Sequence, residues 1–514
     1  MSERAWPQQS VDSWREVARA ELDGGDPDAL ACPLGEGVEM RPLFTRADMP
    51  ADLAPPQPEH PDVAPTRVAM VANDAASAAA STAEALGHDL VRIAARGLQT
   101  SLANGETEDV RRLDPDRVAL TLAATPEGMA ALATLERAGL PHAVVLDIVE
   151  EETAAAPADE LAASLCVLVQ VLRGLGLSPA PRPSALAARL YLPLRLGTDL
   201  VTQVAKVRAA RWLFHTVTSA FEVDLERRHA RVWAIASRRC WSAIDPELNL
   251  ARATLQAFAA VAGGCEVFEP LLFDPVAALD ESRRLAANQH RLLVHEADLT
   301  RVHDPLAGSY AVESLTAQIA NGAWSRLQAW ARDGHLPAPE PAPASTLVGT
   351  NRFADPAARV TLAPEAPSAR PAASFEHLRR RSAERPVAAV LVPFGEPTTA
   401  RPRIDWAADL LRTAGIEPDE APPCSTAEAV QAELARRTDA RIVVLCGLDD
   451  RDGTLVRGVA ATLAGNPRPL LYATGEPPRG SEAWGAIGFL HRGLDTASTL
   501  HGVLDRLATT DGPA

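Results

Sequence analysis

At 514 residues the chain exceeds one ordinary domain, and two to four are expected. Its 47% hydrophobic and 23% charged residues are enough to bury sizeable cores. A net charge of -17 argues against nucleic acid and anionic membrane surfaces as partners.

The N-terminal stretch lacks an apolar core flanked by basic residues and does not read as a signal peptide. Residues 11–22 predict a short amphipathic helix with Val11, Trp14, Val17 and Ala18 on one face. Residues 23–65 read as extended and Pro-rich, without a core pattern of their own, so the segment 1–65 is expected to be an arm lying on another surface. From residue 67, strands alternate with helices. Strands are predicted at 67–71, 90–94, 118–122, 143–148, 187–192, 231–235 and 266–271, with helices at 76–86, 126–138, 158–174, 197–221, 248–261 and 275–295. Apolar strands alternating with helices of this length indicate a parallel sheet, and seven or eight such units would close a (β/α)8 TIM-type barrel over 66–335, in shortened form. A doubly wound open sheet is the alternative that periodicity leaves standing. Residues 336–380 are rich in Pro and Ala and read as a semi-rigid linker. Residues 381–514 return to βα alternation and predict a flavodoxin-like domain.

Six scattered cysteines without a C-x-x-C read as reduced thiols in a cytoplasmic protein, and no apolar run is long enough to span a bilayer. Lys206 is the only lysine, so Schiff-base or lysine-base chemistry has one candidate. His290, His295 and His303 lack the i, i+4 spacing of a helical metal site, and no phosphate-binding glycine loop follows a strand. Asp304, Pro305 and Gly308 read as a turn, with Glu313 opening the next helix. Cys446 at a strand end reads as a buried thiol rather than a nucleophile.

Several stretches resemble the methylmalonyl-CoA mutase family. Trp14-Arg15-Glu16 and Arg41-Pro42-Leu43-Phe44-Thr45 resemble its N-terminal arm. Lys206-Val207-Arg208-Ala209-Ala210-Arg211 resembles the barrel helix "KLRAARxLW". Trp241-Ser242-Ala243-Ile244-Asp245-Pro246 resembles "GWSLTAQDP", and Arg301 through Thr316 resembles "RVxDPxGGSYxVExLT", the most specific match. Residues 381–514 resemble the family's cobalamin domain in order and length.

The departures shape the functional reading. The resemblance aligns the catalytic members' Asp-x-His-x-x-Gly, whose His binds cobalt, with Glu396, Thr398 and Arg401. A threonine has no ring nitrogen to act as axial ligand. Trp233 stands where the family has a barrel His, and the substrate-gripping "ISGYH" is not found. The resemblance therefore implies a non-catalytic small subunit that has no catalytic or cofactor-binding residue of its own. It would form a heterodimer with a large subunit carrying adenosylcobalamin, and Trp14, Arg41, Pro42, Leu43 and Phe44 would lie at the partner interface. Two other readings stay open: a cofactor-free enzyme reusing the barrel for another acyl-CoA reaction, and a scaffold for a different acyl-CoA mutase.

Overall fold

The structure, a computed structural model, describes residues 10–50, 67–72, 89–93, 102, 104–123, 125–147, 156–174, 182–274, 279–339, 346–360, 370–394, 397–447, 453–463, 469–478 and 480–510. The helix expected at 76–86 lies outside them. The chain forms two compact units. One comprises residues 1–238, 250–272 and 278–343; the other comprises 239–249, 273–277 and 344–514.

In the first unit, seven parallel strands among the described residues close a barrel: β3 (Arg67–Ala72), β4 (Leu90–Ile93), β5 (Val118–Ala123), β6 (Ala143–Asp147), β7 (Leu190–Leu196), β8 (Val232–Ala236) and β9 (Val267–Glu269). Closure is made where β9 pairs with β3, with Arg67 opposite Val267 and Val68 opposite Phe268. The cause is a strict two-residue alternation. Outward side chains such as Met70, Val91, Leu120, Leu122, Val144, Leu192, Leu194, Val232 and Phe268 join the core formed with the surrounding helices. Inward ones such as Ala69, Leu90, Ala119, Val145, Tyr191, Trp233 and Val267 form a separate cluster inside the barrel.

Among the described residues, the helices of this unit are α1 (Val11–Glu21), α2 (Glu108–Arg111), α3 (Pro126–Arg137), α4 (Pro157–Leu172), α5 (Pro183–Ala187), α6 (Leu200–Ala220), α7 (Leu248–Ala262), α8 (Leu279–Arg291) and α9 (Tyr310–Asp333). Pro opens α3, α4 and α5, where its missing N–H costs nothing. Thr125 caps α3 by accepting from the Gly128 N–H at 3.3 Å. Helix α9 packs on α6 and α4. The arm is more structured than its composition suggests. β1 (Cys32–Gly35) and β2 (Val38–Met40) form an antiparallel hairpin that lies on α9 and buries Val38 in the barrel unit's core.

The second unit is a five-stranded parallel sheet in the order β11-β10-β12-β13-β14, formed by β10 (Ala388–Pro393), β11 (Pro418–Glu420), β12 (Ala440–Cys446), β13 (Leu470–Thr474) and β14 (Gly488–Leu490). That is the flavodoxin order, reversing direction between β10 and β12. Its helices are α10 (Ala372–Glu384), α11 (Pro397–Thr413), α12 (Ala427–Leu434), α13 (Thr454–Thr462) and α14 (Thr496–Thr510). Two apolar clusters, one containing Leu391, Leu411, Val444 and Leu504 and the other Val392, Val430, Leu445 and Val456, sandwich the sheet. Among the described residues, no helix is long and apolar enough to cross a membrane.

Candidate functional site

A parallel barrel offers two places for chemistry: its lumen and its strand-end loops. Here the lumen is packed. Trp233 is fully buried, and its ring meets that of Tyr191 edge-on, with centroids 5.4 Å apart. Small residues on other strands, Ala69 and Ala119, leave the room these rings fill. One layer along, Arg92 makes a two-pronged ion pair with Glu269, Nε to Oε2 at 2.7 Å and Nη2 to Oε1 at 2.8 Å. Trp233 Nε1 donates to the same Oε2 at 3.2 Å, and Arg92 Nη1 donates to Thr121 Oγ1 at 3.2 Å. Buried charges persist only when paired and hydrogen-bonded in this way. The position where the resemblance expected a barrel His thus holds an indole that fills space and anchors a carboxylate.

The residues carrying the strongest motif matches do structural work. Lys206, Arg208 and Arg211 project from α6. Lys206 Nζ donates to Glu160 Oε2 at 2.7 Å and to the Arg195 carbonyl. Arg208 ties the two stretches together: it pairs with Asp304 and, at 2.6 Å, with Glu313. Glu313 also accepts from the Gly308 N–H at 3.0 Å. Asp304 and Gly308 both have positive φ, 47° and 80°, so this segment is a tight turn pinned by one guanidinium. Arg211 pairs with Glu266 at 3.2 Å. The segment containing Trp241 to Asn249 lies in the second unit. There the Asn249 side chain bonds Ser242 at both N–H and carbonyl, and Glu376 accepts from the Ala243 N–H at 2.8 Å.

In the second unit, ligands of flavodoxin-type sheets bind at the strand ends where the order reverses, here those of β10 and β12. Glu396 lies outside the described residues. Thr398 stands exposed in the first turn of α11. Arg401, on the same helix, is exposed and pairs with Asp405 and with Glu420 at 3.0 Å, partners that hold its pKa above the ordinary arginine value. Gly447, just after β12, has φ of 106°, and a side chain there would meet Ala400 Cβ at 2.6 Å. Gly453, at the start of α13, is covered by the buried Trp484 indole, which a Cβ would overlap. Burial raises the Cys446 thiol to about 12, so it is inert.

Of the arm residues, Phe44 packs on the barrel unit's core, and Arg41 lies 4.9 Å over its ring while pairing with Asp48 at 2.6 Å. Leu43 is half-buried and Pro42 exposed. Trp14 is half-buried on α1, a helix with no fully buried residue, whose Val11 and Val17 are exposed. Sequence reasoning missed Arg92 and Glu269, which nothing local in the sequence links.

The fold defines a parallel βα-barrel protein whose lumen is filled, followed in the chain by a flavodoxin-type unit. The family model described as methylmalonyl-CoA mutase matches residues 145–338. A probable methylmalonyl-CoA mutase small subunit from Mycobacterium tuberculosis is 32% identical over 389 residues, covering 69% of this chain and 62% of that relative. The methylmalonyl-CoA mutase small subunit of Streptomyces virginiae is 30% identical over 406 residues, with 69% and 62% covered. That of Propionibacterium freudenreichii is 37% identical over 133 residues, 25% of this chain and 21% of that one. The chain therefore belongs to the methylmalonyl-CoA mutase family. It spans about three fifths of the length of the first two of these relatives, 62% in each case.

Proposed function

We propose that this chain is the non-catalytic small subunit of a heterodimeric, adenosylcobalamin-dependent methylmalonyl-CoA mutase. In this reading the large subunit interconverts methylmalonyl-CoA and succinyl-CoA, and this chain stabilises it. The observation that carries the reading is the lumen: Trp233, Tyr191 and the Arg92–Glu269 pair occupy the barrel interior. A skeleton rearrangement needs a sealed but vacant interior with polar groups free to grip a thioester.

The cofactor is assigned to the partner because the residues here do not fit a corrinoid. Position 398 offers a hydroxyl where an imidazole is needed, Arg401 is engaged with two carboxylates, and Trp484 covers the glycine that opens α13. No step of the chemistry runs through these residues. The exposed apolar residues of α1 and the arm's Arg41–Phe44 segment are the surface assigned to the partner. A cytoplasmic location follows from the same reading.

The test is co-purification with the large subunit, followed by an absorbance spectrum of each separated chain. Cobalamin in the large subunit alone, within a stable one-to-one complex, is the expected outcome. Cobalamin on this chain, or a chain that never associates, sinks the proposal. Thr398→Ala should leave turnover of the assembled complex within about twofold of wild type, because uniform background effects of a surface hydroxyl are small.

A further inference from the structure

Helices α10 and α14 of the second unit pack on each other along a polar seam. Ser374, His377 and Arg381 follow one another at i, i+3 and i+7 on α10, and His501 and Asp505 at i and i+4 on α14, so each set shares one helix face. The seam centres on the half-buried His501. Ser374 Oγ lies 3.2 Å from its Nε2, Arg381 Nη1 lies 3.2 Å from its Nδ1, and the ring of the exposed His377 is 5.2 Å away between centroids. Arg381 Nη2 also donates to Asp505 Oδ1 at 2.7 Å.

A guanidinium only donates, so Nδ1 accepts, and the one proton of the neutral ring sits on Nε2 and is given to Ser374 Oγ. That tautomer excludes His501 as a base toward Ser374. It also leaves no place for a second proton. Protonating Nδ1 removes the acceptor that Arg381 uses and sets two cations at hydrogen-bond distance, with His377 titrating beside them. Burial holds the His501 pKa below the ordinary histidine value, His377 and Arg381 act in the same direction, and Ser374 and Asp505 oppose them. The docked ring therefore refuses a proton that an undocked one accepts near pH 6.5. The seam's contribution is full above that pH and is lost as pH falls below it. The two helices do not yield equally. On α10, Glu376 accepts from the Ala243 N–H at 2.8 Å and pairs with Arg370 at 2.9 Å, while Arg379 donates to the carbonyls of Thr413, Pro356 and Asp355. Behind the seam, α14 is held by apolar side chains, Leu500, Val503, Leu504 and Leu507, which slide more readily than directional bonds break.

We propose that this seam is a proton-operated latch, in which protonation of His501 loosens α14 from a fixed α10. The sensing group is the ring held between Ser374 and Arg381, and His377 sharpens the response by charging in the same pH range.

The experiment is amide hydrogen exchange of the full chain at pH 7.5 and 5.5, each rate divided by the intrinsic rate at that pH. Opening of α14 is expected to rise about threefold or more at the lower pH, while α12 of the same unit stays level. His501→Gln keeps an acceptor and a donor but does not titrate, and should abolish the rise. No rise in α14, an equal rise in α12, or a rise that survives His501→Gln overturns the latch. Nitrogen-15 resonances of the histidine-labelled wild-type chain test the tautomer without relying on the variant's fold: at pH 7.5 the Nδ1 of His501 should be unprotonated, and a proton found there overturns the proposal as well.

Discussion

Glu269 and His290 show two opposite ways of burying a titratable side chain. Glu269 accepts from Arg92 twice and from the Trp233 indole, so the charge is neutralised where it sits. Removing one partner leaves the other stranded. Glu269→Ala should cost about 3–5 kcal/mol in urea unfolding, whereas Arg92→Met combined with Glu269→Leu should cost far less. His290 takes the other course. It is buried, stacked on Phe268 with centroids 6.4 Å apart, and burial depresses its pKa to about 4. Between pH 6.5 and 4 the unfolded chain binds a proton that the folded chain refuses. Stability from this group is therefore full above pH 6.5 and lost as pH falls through that window, on the order of 3 kcal/mol in all. His290→Leu should flatten the pH dependence of the unfolding midpoint between pH 7 and 4. A slope identical to wild type would count against the burial argument. In the sequence, Trp233 was visible as a departure from the family. Its partner was not, because Arg92 and Glu269 are 177 residues apart and pairing between strands leaves no local signature.

Elements were legible in proportion to their periodicity. The alternation that predicted strands at 118–122 and 231–235 is found at Val118–Ala123 and Val232–Ala236. The strand expected at 187–192 begins later, at Leu190, because Pro183 starts a short helix that runs to Ala187. The hairpin of the arm was missed: with one buried side chain, Val38, it has no alternation to read, and its support comes from α9 nearly three hundred residues on, where Gln318 accepts the Glu39 N–H. At this scale α13 and the turn carrying Trp484 form one packed contact. Gly453→Ala should destabilise the chain by about 1–3 kcal/mol, since the new methyl overlaps the indole at a backbone φ of 63°. Pairing it with Trp484→Leu should recover part of the loss in thermal melts. Helix α1 is the contrasting case. With no fully buried residue, its deletion with residues 1–22 should leave the unfolding midpoint of the isolated chain unchanged while weakening association with a large subunit. Unaltered partner affinity would remove the role given to its apolar face.

For the whole molecule, the flavodoxin-type unit is not a contiguous piece of chain. Residues 239–249 and 273–277 belong to it although they lie in sequence within the stretch read as barrel domain. Ile244 sits in the same cluster as Phe375 and Leu378, and bridges Val360. Arg359 pairs with Glu247 at 2.6 Å and with Asp274 at 2.9 Å. A fragment of residues 344–514 lacks Ile244, Glu247 and Asp274. It should lose at least the burial of Ile244, about 2 kcal/mol or more, and be digested faster than the same region in the full chain under limited proteolysis. Equal protease resistance in both would show that the inserted segments add nothing. The sequence showed where the second run of βα alternation began, but composition marks linkers, and no composition marks a loop that leaves one unit to complete another.

The interleaving imposes an order of events on synthesis. When the ribosome has delivered residue 343, the barrel unit has every strand it needs, while the loop carrying Ile244 has no core to enter until the last part of the chain emerges. At about 5–20 residues per second, that wait lasts on the order of ten seconds or more, during which Ile244 lacks the core it belongs to. The C-terminal unit is thus completed by two pieces, residues 239–249 and 273–277, that leave the ribosome long before the rest of it.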